Sequence, residues 1–138
     1  MNKNKTINHI LKNGKKQISE EILKKSFKSL QKVQKKSHNE IIKQSILNST
    51  PTFRIIKLKR KKSKQEVPAF LSTYDYRTSW GLKYLIKTVT SKTKNNFYKQ
   101  LEQEILDTAK FTSETIKFKE ELQKTTLQKK KYFKFYRW

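Results

Sequence analysis

The chain has 138 residues, which suits one domain with a modest core and leaves little room for a second. Its 34 Lys+Arg against 11 Asp+Glu give a formal net charge of +23, and self-repulsion on that scale works against a compact state unless a polyanion supplies counter-charge. Cysteine is absent, which excludes disulfides, thiolate zinc sites and thiol catalysis.

Met1 to Gln17 carries Lys and Asn but no Arg and passes directly into a helical pattern, so it is not expected to be a signal or transit peptide. Ile7, Ile10 and Leu11 predict a short first helix, stopped by Asn13-Gly14. Ile18, Ile22, Leu23, Phe27, Leu30 and Val33 then recur at helical spacing, with lysines on the opposite face. Lys35-Lys36 breaks that pattern. Ser37-His38-Asn39-Glu40 reads as a capping box for a third helix, which carries Ile41, Ile42, Ile46 and Leu47 and ends before Pro51.

From Thr52 to Leu58 the aromatic and β-branched residues Phe53, Ile55 and Ile56 favour extended structure, and a second extended piece runs from about Gln65 to Leu71. Together they predict a β-hairpin over roughly residues 52–71. Its tip, Lys59-Arg60-Lys61-Lys62-Ser63-Lys64, has no Gly, Asn or Asp, so a tight two-residue turn would be strained and a wider or disordered loop is expected. Helical spacing resumes with Trp80, Tyr84, Leu85 and Val89, with Asp75 as a cap or early acid. A break at Ser91 to Asn96 leads to Phe97, Leu101, Ile105 and Ala109; Phe111-Thr112-Ser113 then separates off a last helix with Ile116, Leu122 and Leu127. A basic, aromatic tail closes the chain over residues 129–138. Residues 1–138 therefore read as one mostly helical domain with a basic hairpin midway. No apolar run is long enough to span a bilayer, so no membrane insertion is expected.

The segment from Arg54 to Lys64 holds seven basic residues, Arg54, Lys57, Lys59, Arg60, Lys61, Lys62 and Lys64, and no acidic one. A charge run in an ordinary protein is most often a solvated loop. Here it sits on a hairpin flanked by apolar strand residues, a shape suited to insertion into an RNA groove or between RNA elements. In the tail, Lys130 and Lys131 precede aromatics interleaved with cations: rings stack on unpaired bases while Lys and Arg bind phosphate. Phe133 is read as an anchor in the core, and Tyr136, Arg137 and Trp138 as RNA contacts. Gly14-Lys15-Lys16 lacks the further glycines and preceding strand of a phosphate loop; Lys15 and Lys16 stand instead at the amino end of the second helix, where phosphate is held unspecifically.

No catalytic constellation emerges. His9 and His38 lack the spaced acids of a metal site and read as surface or capping-region residues, and Glu102, Glu104 and Asp107 read as helix-surface acids paired with lysines. The chain is expected to be no enzyme and to carry no cofactor or metal. Nucleic acid suits its charge best, because each neutralised phosphate releases counterions. A histone-like or helix-turn-helix DNA binder is the alternative, but base reading wants Arg, Asn or Gln on one helix, and here the cations are mainly Lys spread over several elements. Binding to anionic lipid would leave the hairpin and tail without a role. Lysine-dominated charge with scarce Gly and Pro fits a gene biased towards A and T, as in many organelles.

In order along the chain, several short motifs resemble the bacterial and organellar small-subunit ribosomal protein S-seven family. Asn13-Gly14-Lys15-Lys16, followed by Ile22 and Phe27, is similar to its D-G-K-K segment and second helix. Pro51-Thr52 and Val67-Pro68 match the P-T and V-P that open and close its hairpin. Arg77, Leu82, Lys83 and Tyr84 follow R-x-A-L-A-x-R-W with tyrosine for tryptophan, and Leu101, Glu104 and Asp107 follow L-A-N-E-L-x-D-A. The close, Phe133 to Trp138, resembles F-x-x-Y-R-W. The chain departs in having Lys61-Lys62 where the family has Gly-Gly and in keeping only Lys117, Lys119 and Glu121 of K-K-R-E-D-x-H, and it is expected to lack the family's basic amino-terminal arm. The resemblance implies a mainly α fold, a bundle of about six helices with a β-hairpin between helices three and four. It implies binding to the 3′ major domain of small-subunit ribosomal RNA, with Arg77, Lys83, Lys117 and Lys119 added to the RNA contacts. It further implies a role in nucleating the subunit head beside other head proteins, with mRNA and exit-site tRNA close to the hairpin. The expected location is the small ribosomal subunit in the mitochondrial matrix, or alternatively the bacterial cytoplasm.

Overall fold

The computed structural model describes residues 3–33, 38–60, 63–92 and 96–131, with the backbone alone at Arg60, Ser63 and Lys64. Six helices are present among them: α1 Lys3–Ile10, α2 Lys16–Val33, α3 His38–Ser49, α4 Tyr74–Lys92, α5 Phe97–Ala109 and α6 Glu114–Gln128. Between α3 and α4 lie β1 Phe53–Arg60 and β2 Ser63–Phe70, an antiparallel pair. The fold is the helical bundle with an inserted hairpin that the sequence predicts.

Helix α5 is the centre, packed against α2, α3, α4 and α6. Its Leu101 and Ile105 join Ile7 and Ile10 of α1, Leu23 and Leu30 of α2, Ile42 of α3, and Leu85, Ile86 and Val89 of α4 in one apolar cluster. Each such aliphatic side chain contributes about 1.5–3 kcal/mol on burial. The buried stripe of α2 keeps Leu23, Phe27 and Leu30 of the one hydropathy selects and differs at its ends and in its small residues. Ile18 and Val33 are exposed, while Ser19 and Ser26 are buried. The Ser26 hydroxyl donates to the Ile22 carbonyl one turn back and reaches the Tyr98 carbonyl of α5. A small residue satisfied by its own helix lets the two backbones approach, which a branched side chain would prevent. Leu47 and Leu127 likewise face outward.

Local signals explain most boundaries. Asn13 and Gly14 adopt positive φ and turn the chain from α1 into α2. Glu40 stands in the first turn of α3; Ser37, the other half of the expected capping box, lies outside the described residues. Helix α4 starts at Tyr74, ahead of the first apolar residue at helical spacing, because the Thr73 carbonyl accepts from the amides of Tyr76 and Arg77. Gly81 is where α3 and α4 cross: a Cβ there would lie 2.9 Å from Ser49 Oγ and 3.2 Å from Thr50 Cα, so any larger residue would force the end of α3 to shift. At the hairpin the expectation of a wide loop is corrected. Pairing continues out to Arg60↔Ser63, leaving only residues 61–62 between the paired ends, and those two lie outside the described residues.

A second correction concerns Glu104, expected on a helix surface and found 2% exposed. It faces the start of α6, where its Oε1 accepts from the Thr115 amide (3.3 Å) and hydroxyl (2.7 Å), and its Oε2 takes the Lys92 ammonium at 3.0 Å. Negative charge at a helix amino end is favoured by the orphan amides there. Ser113 completes the junction as N-cap, accepting from the Ile116 amide. Burial alone would push the Lys92 ammonium down, but the hydrogen bond and charge of Glu104, with Glu114 nearby, hold it above the ordinary lysine range. Replacing Glu104 with Ala removes the acceptor of the Thr115 amide and the nearer of the two carboxylates on Lys92, and should cost about 3 kcal/mol, read as a lowered Tm in thermal unfolding; an unchanged Tm would exclude the junction as a stabilising contact.

Candidate nucleic-acid interface

The hairpin is anchored at its root. The Phe53 and Phe70 rings meet edge to face at 4.6 Å, Val67, Pro68, Ala69 and Leu71 are buried, and α6 packs against β1. Pro68, which has no N–H to give, is tolerated because each strand of a two-stranded ribbon is an edge. Exposure then rises away from the root, where Lys57 and Lys59 stand in solvent. Lys57 Nζ lies 3.8 Å from Glu66 across the ladder, and Glu66 also accepts Lys129 from beyond α6 at 2.6 Å. That hydrogen bond and charge from Lys129, with Lys57 adding, hold the Glu66 carboxyl below the ordinary carboxylate range against a small opposing effect of desolvation.

Beside the root, α4 presents an aromatic row. Tyr76 and Trp80 stand 6.4 Å apart between ring centroids, Trp80 and Tyr84 5.7 Å, and Tyr84 meets Phe118 of α6 at 5.0 Å. Burial pushes the Tyr84 phenol up, with the Arg54 charge opposing, so it remains a neutral ring. Cations lie on this row. Arg54 of β1 donates to the Tyr76 hydroxyl (2.8 Å) and its guanidinium carbon is 5.4 Å from the Tyr76 centroid and 6.0 Å from that of Trp80. Lys83 Nζ lies 4.4 Å from the Trp80 centroid and Lys87 Nζ 5.3 Å from that of Phe118. Among the described residues no ion pair engages Arg54, Lys83 or Lys87.

The structure thus gathers Arg54 and Lys83, far apart in sequence, over one indole. Arg77 is turned inward, its Nε donating to the Leu71 carbonyl at 2.6 Å where the hairpin joins α4. Lys119 donates to the Asn48 carbonyl at 2.7 Å, capping the end of α3, and burial lowers its ammonium. Lys117, Lys130 and Lys131 are exposed on and beyond α6, and Lys15 and Lys16 are exposed at the start of α2, on other elements of the bundle. The side chains of Arg60 and Lys64 are not described, and Lys61, Lys62, Tyr136, Arg137 and Trp138 lie outside the described residues, as does the anchor assigned to Phe133. Sequence reading missed Tyr76, Lys87 and Phe118 as members of the cationic face. The i, i+4, i+8 spacing of Tyr76, Trp80 and Tyr84 was the available signal.

Nothing in this arrangement does acid–base chemistry. His9, expected on the surface or near a cap, is half-buried between α1 and α4 with Nε2 2.9 Å from Ser79 Oγ, and burial together with the Lys83 charge lowers its pKa. A cleft of about 270 Å³ between α1, α3 and α4 contains one carboxylate, Asp75, which is already paired with Lys5. Among the described residues no group of three His, Asp or Glu could hold a metal, and no helix is long and apolar enough to cross a membrane.

Comparison with known proteins adds an independent finding. A profile of the family described as Ribosomal protein S7p/S5e matches residues 2–130. The chain is 31% identical over 120 residues to the small ribosomal subunit protein uS7c of Euglena longa, spanning 87% of this chain and 67% of that protein. It is 32% identical over 121 residues to uS7c of Euglena gracilis, spanning 88% and 77% respectively. Small ribosomal subunit protein uS7 of Phytoplasma mali is 25% identical over 134 residues, spanning 97% of this chain and 85% of that one.

The Glu66 contacts predict how the hairpin attachment responds to acid. A carboxyl whose folded pKa is depressed stabilises the fold fully above its unfolded value of 4.5 and loses that contribution as pH falls through the folded value. Glu66→Gln should therefore lower Tm at neutral pH, with the difference from the parent chain shrinking as pH falls below the ordinary carboxylate range. A difference independent of pH would show that the carboxylate charge has no part in holding the hairpin.

Proposed function

This chain belongs to the Ribosomal protein S7p/S5e family, and from that premise we propose that it binds the 3′ major domain of small-subunit ribosomal RNA and helps nucleate assembly of the subunit head. It is a structural protein of the small ribosomal subunit and not an enzyme. The observation that carries the finer reading is the match over residues 2–130, which includes the hairpin and α4 with their surplus cations. Lys and Arg of the hairpin neutralise RNA phosphates, and the helical body holds them in register. On this reading the neighbours are other proteins of the subunit head, and the hairpin lies near mRNA and exit-site tRNA. Lysine-dominated, Gly- and Pro-poor composition supports a mitochondrial ribosome as the location.

The reading has two direct tests. Replacing Lys59, Arg60, Lys61 and Lys62 with Ala should weaken binding to the RNA domain, and the dependence of log K on log salt should flatten by roughly 0.7–0.9 for each phosphate that is no longer neutralised. Equal affinity and equal slope would remove the hairpin from the interface. Deleting Tyr136 to Trp138 should reduce incorporation of the protein into small subunits, measured by sedimentation of reconstituted particles; full incorporation would refute a role for the tail.

A further inference from the structure

We propose that the Tyr76–Trp80 end of the aromatic row is a seat for one unpaired nucleotide of the bound RNA, with the base stacked on Tyr76 and the adjoining phosphate on Lys83. This rests on the RNA-binding reading and goes beyond it, since it names the state of the nucleotide and places its contacts outside the hairpin tip and the tail. The row emerges from the core: Tyr84 is 7% exposed, Phe118 and Trp80 are half-buried, and Tyr76 ends the series at 45%. The bundle does not cover the ring at this end of the row. Tyr76 is left open with Arg54 fixed against it through its hydroxyl.

The way the cations are held also points to a nucleotide. Three of the lysines that tie elements together meet a carboxylate, at Lys5–Asp75, Lys92–Glu104 and Lys129–Glu66, and Lys119 meets the Asn48 carbonyl. Arg54 and Lys83 have ring faces instead, which orient a cation without neutralising it. An oriented, uncancelled pair of cations beside an exposed ring matches a base plus its phosphate, and a guanidinium can itself lie against the base. An acidic peptide would match the charges and leave the ring without a partner. A continuous duplex keeps its base faces stacked inside and has nothing to place on Tyr76.

The test uses the full chain and the small-subunit RNA domain. Tyr76→Leu should weaken binding about tenfold with the salt slope unchanged, because it removes base stacking and leaves every neutralised phosphate in place. Tyr76→Phe should retain most of the affinity, and Lys83→Ala should flatten the slope by roughly 0.7–0.9. A second readout uses a Trp138→Phe chain, in which Trp80 is the remaining tryptophan. At saturation its emission should be quenched by single-stranded RNA and not by blunt duplex RNA. Tyr76→Leu binding as tightly as the parent, or equal quenching by duplex and single strand, would overturn the stacking seat while leaving ribosomal RNA binding in place. A parent chain with no preference for the ribosomal RNA domain would overturn both.

Discussion

Uncancelled positive charge is the constraint around which this molecule is arranged. With 11 carboxylates for 34 cations, ion pairs cannot be spread over the surface, and those present among the described residues sit mainly where two elements must be joined. Asp75 ties α4 to Lys5 of α1, Glu104 ties α5 to Lys92 of α4 and to the first turn of α6, and Glu66 ties β2 to Lys129 after α6. Three of the scarce acids thus serve as joints between elements, and Glu104 alone of them is buried. The hairpin and the outer face of α4 are left electropositive, which is the condition for holding a polyanion and also the reason the free chain repels itself.

The core reflects the same economy. Only a third of the residues are apolar, and buried hydroxyls stand beside the aliphatic side chains in the interior. Ser26, Ser45 and Ser49 each donate to a carbonyl of their own helix, as do Thr108 and Thr126, and all are buried. Such groups bring no net hydrophobic gain but allow close approach without an unsatisfied donor. A core of this kind holds a fold with little to spare, so binding to an anionic partner adds stability by mass action.

How much of this could be read from the sequence depended on the range of the interaction. Helices α3, α5 and α6, the Asn13-Gly14 turn and the hairpin strands follow from local spacing and backbone preference, and their positions agree with the structure. Contacts between distant segments were not legible. Ile18 and Val33 satisfy the helical period as well as Leu23 does, and only the approach of α5 at Ser26 shows that serine fills the seam. Glu104 looks like any surface acid of a lysine-rich chain until Thr115 is brought to it from eleven residues away. The inward turn of Arg77 and the capping role of Lys119 depend on the carbonyls of Leu71 and Asn48, which no charge count reveals. The hairpin tip was misjudged from residue type: the absence of Gly and Asn argued for a wide loop, yet strand pairing carries on to Arg60↔Ser63.

The attachments at the hairpin root matter because of what they do to the cost of binding. A basic ribbon free to swing would lose that freedom on meeting RNA, and the loss would subtract from affinity. Here the Arg54 guanidinium on the α4 rings and the Glu66–Lys129 bond tie the hairpin to α4 and to the end of α6. Arg54 is therefore both a charge on the face and a strut that sets the hairpin relative to Trp80 and Lys83. Arg54 and Lys83 are already oriented on the Trp80 ring, so on the proposed RNA-binding reading electrostatic attraction acts on a pair of cations that needs little further ordering.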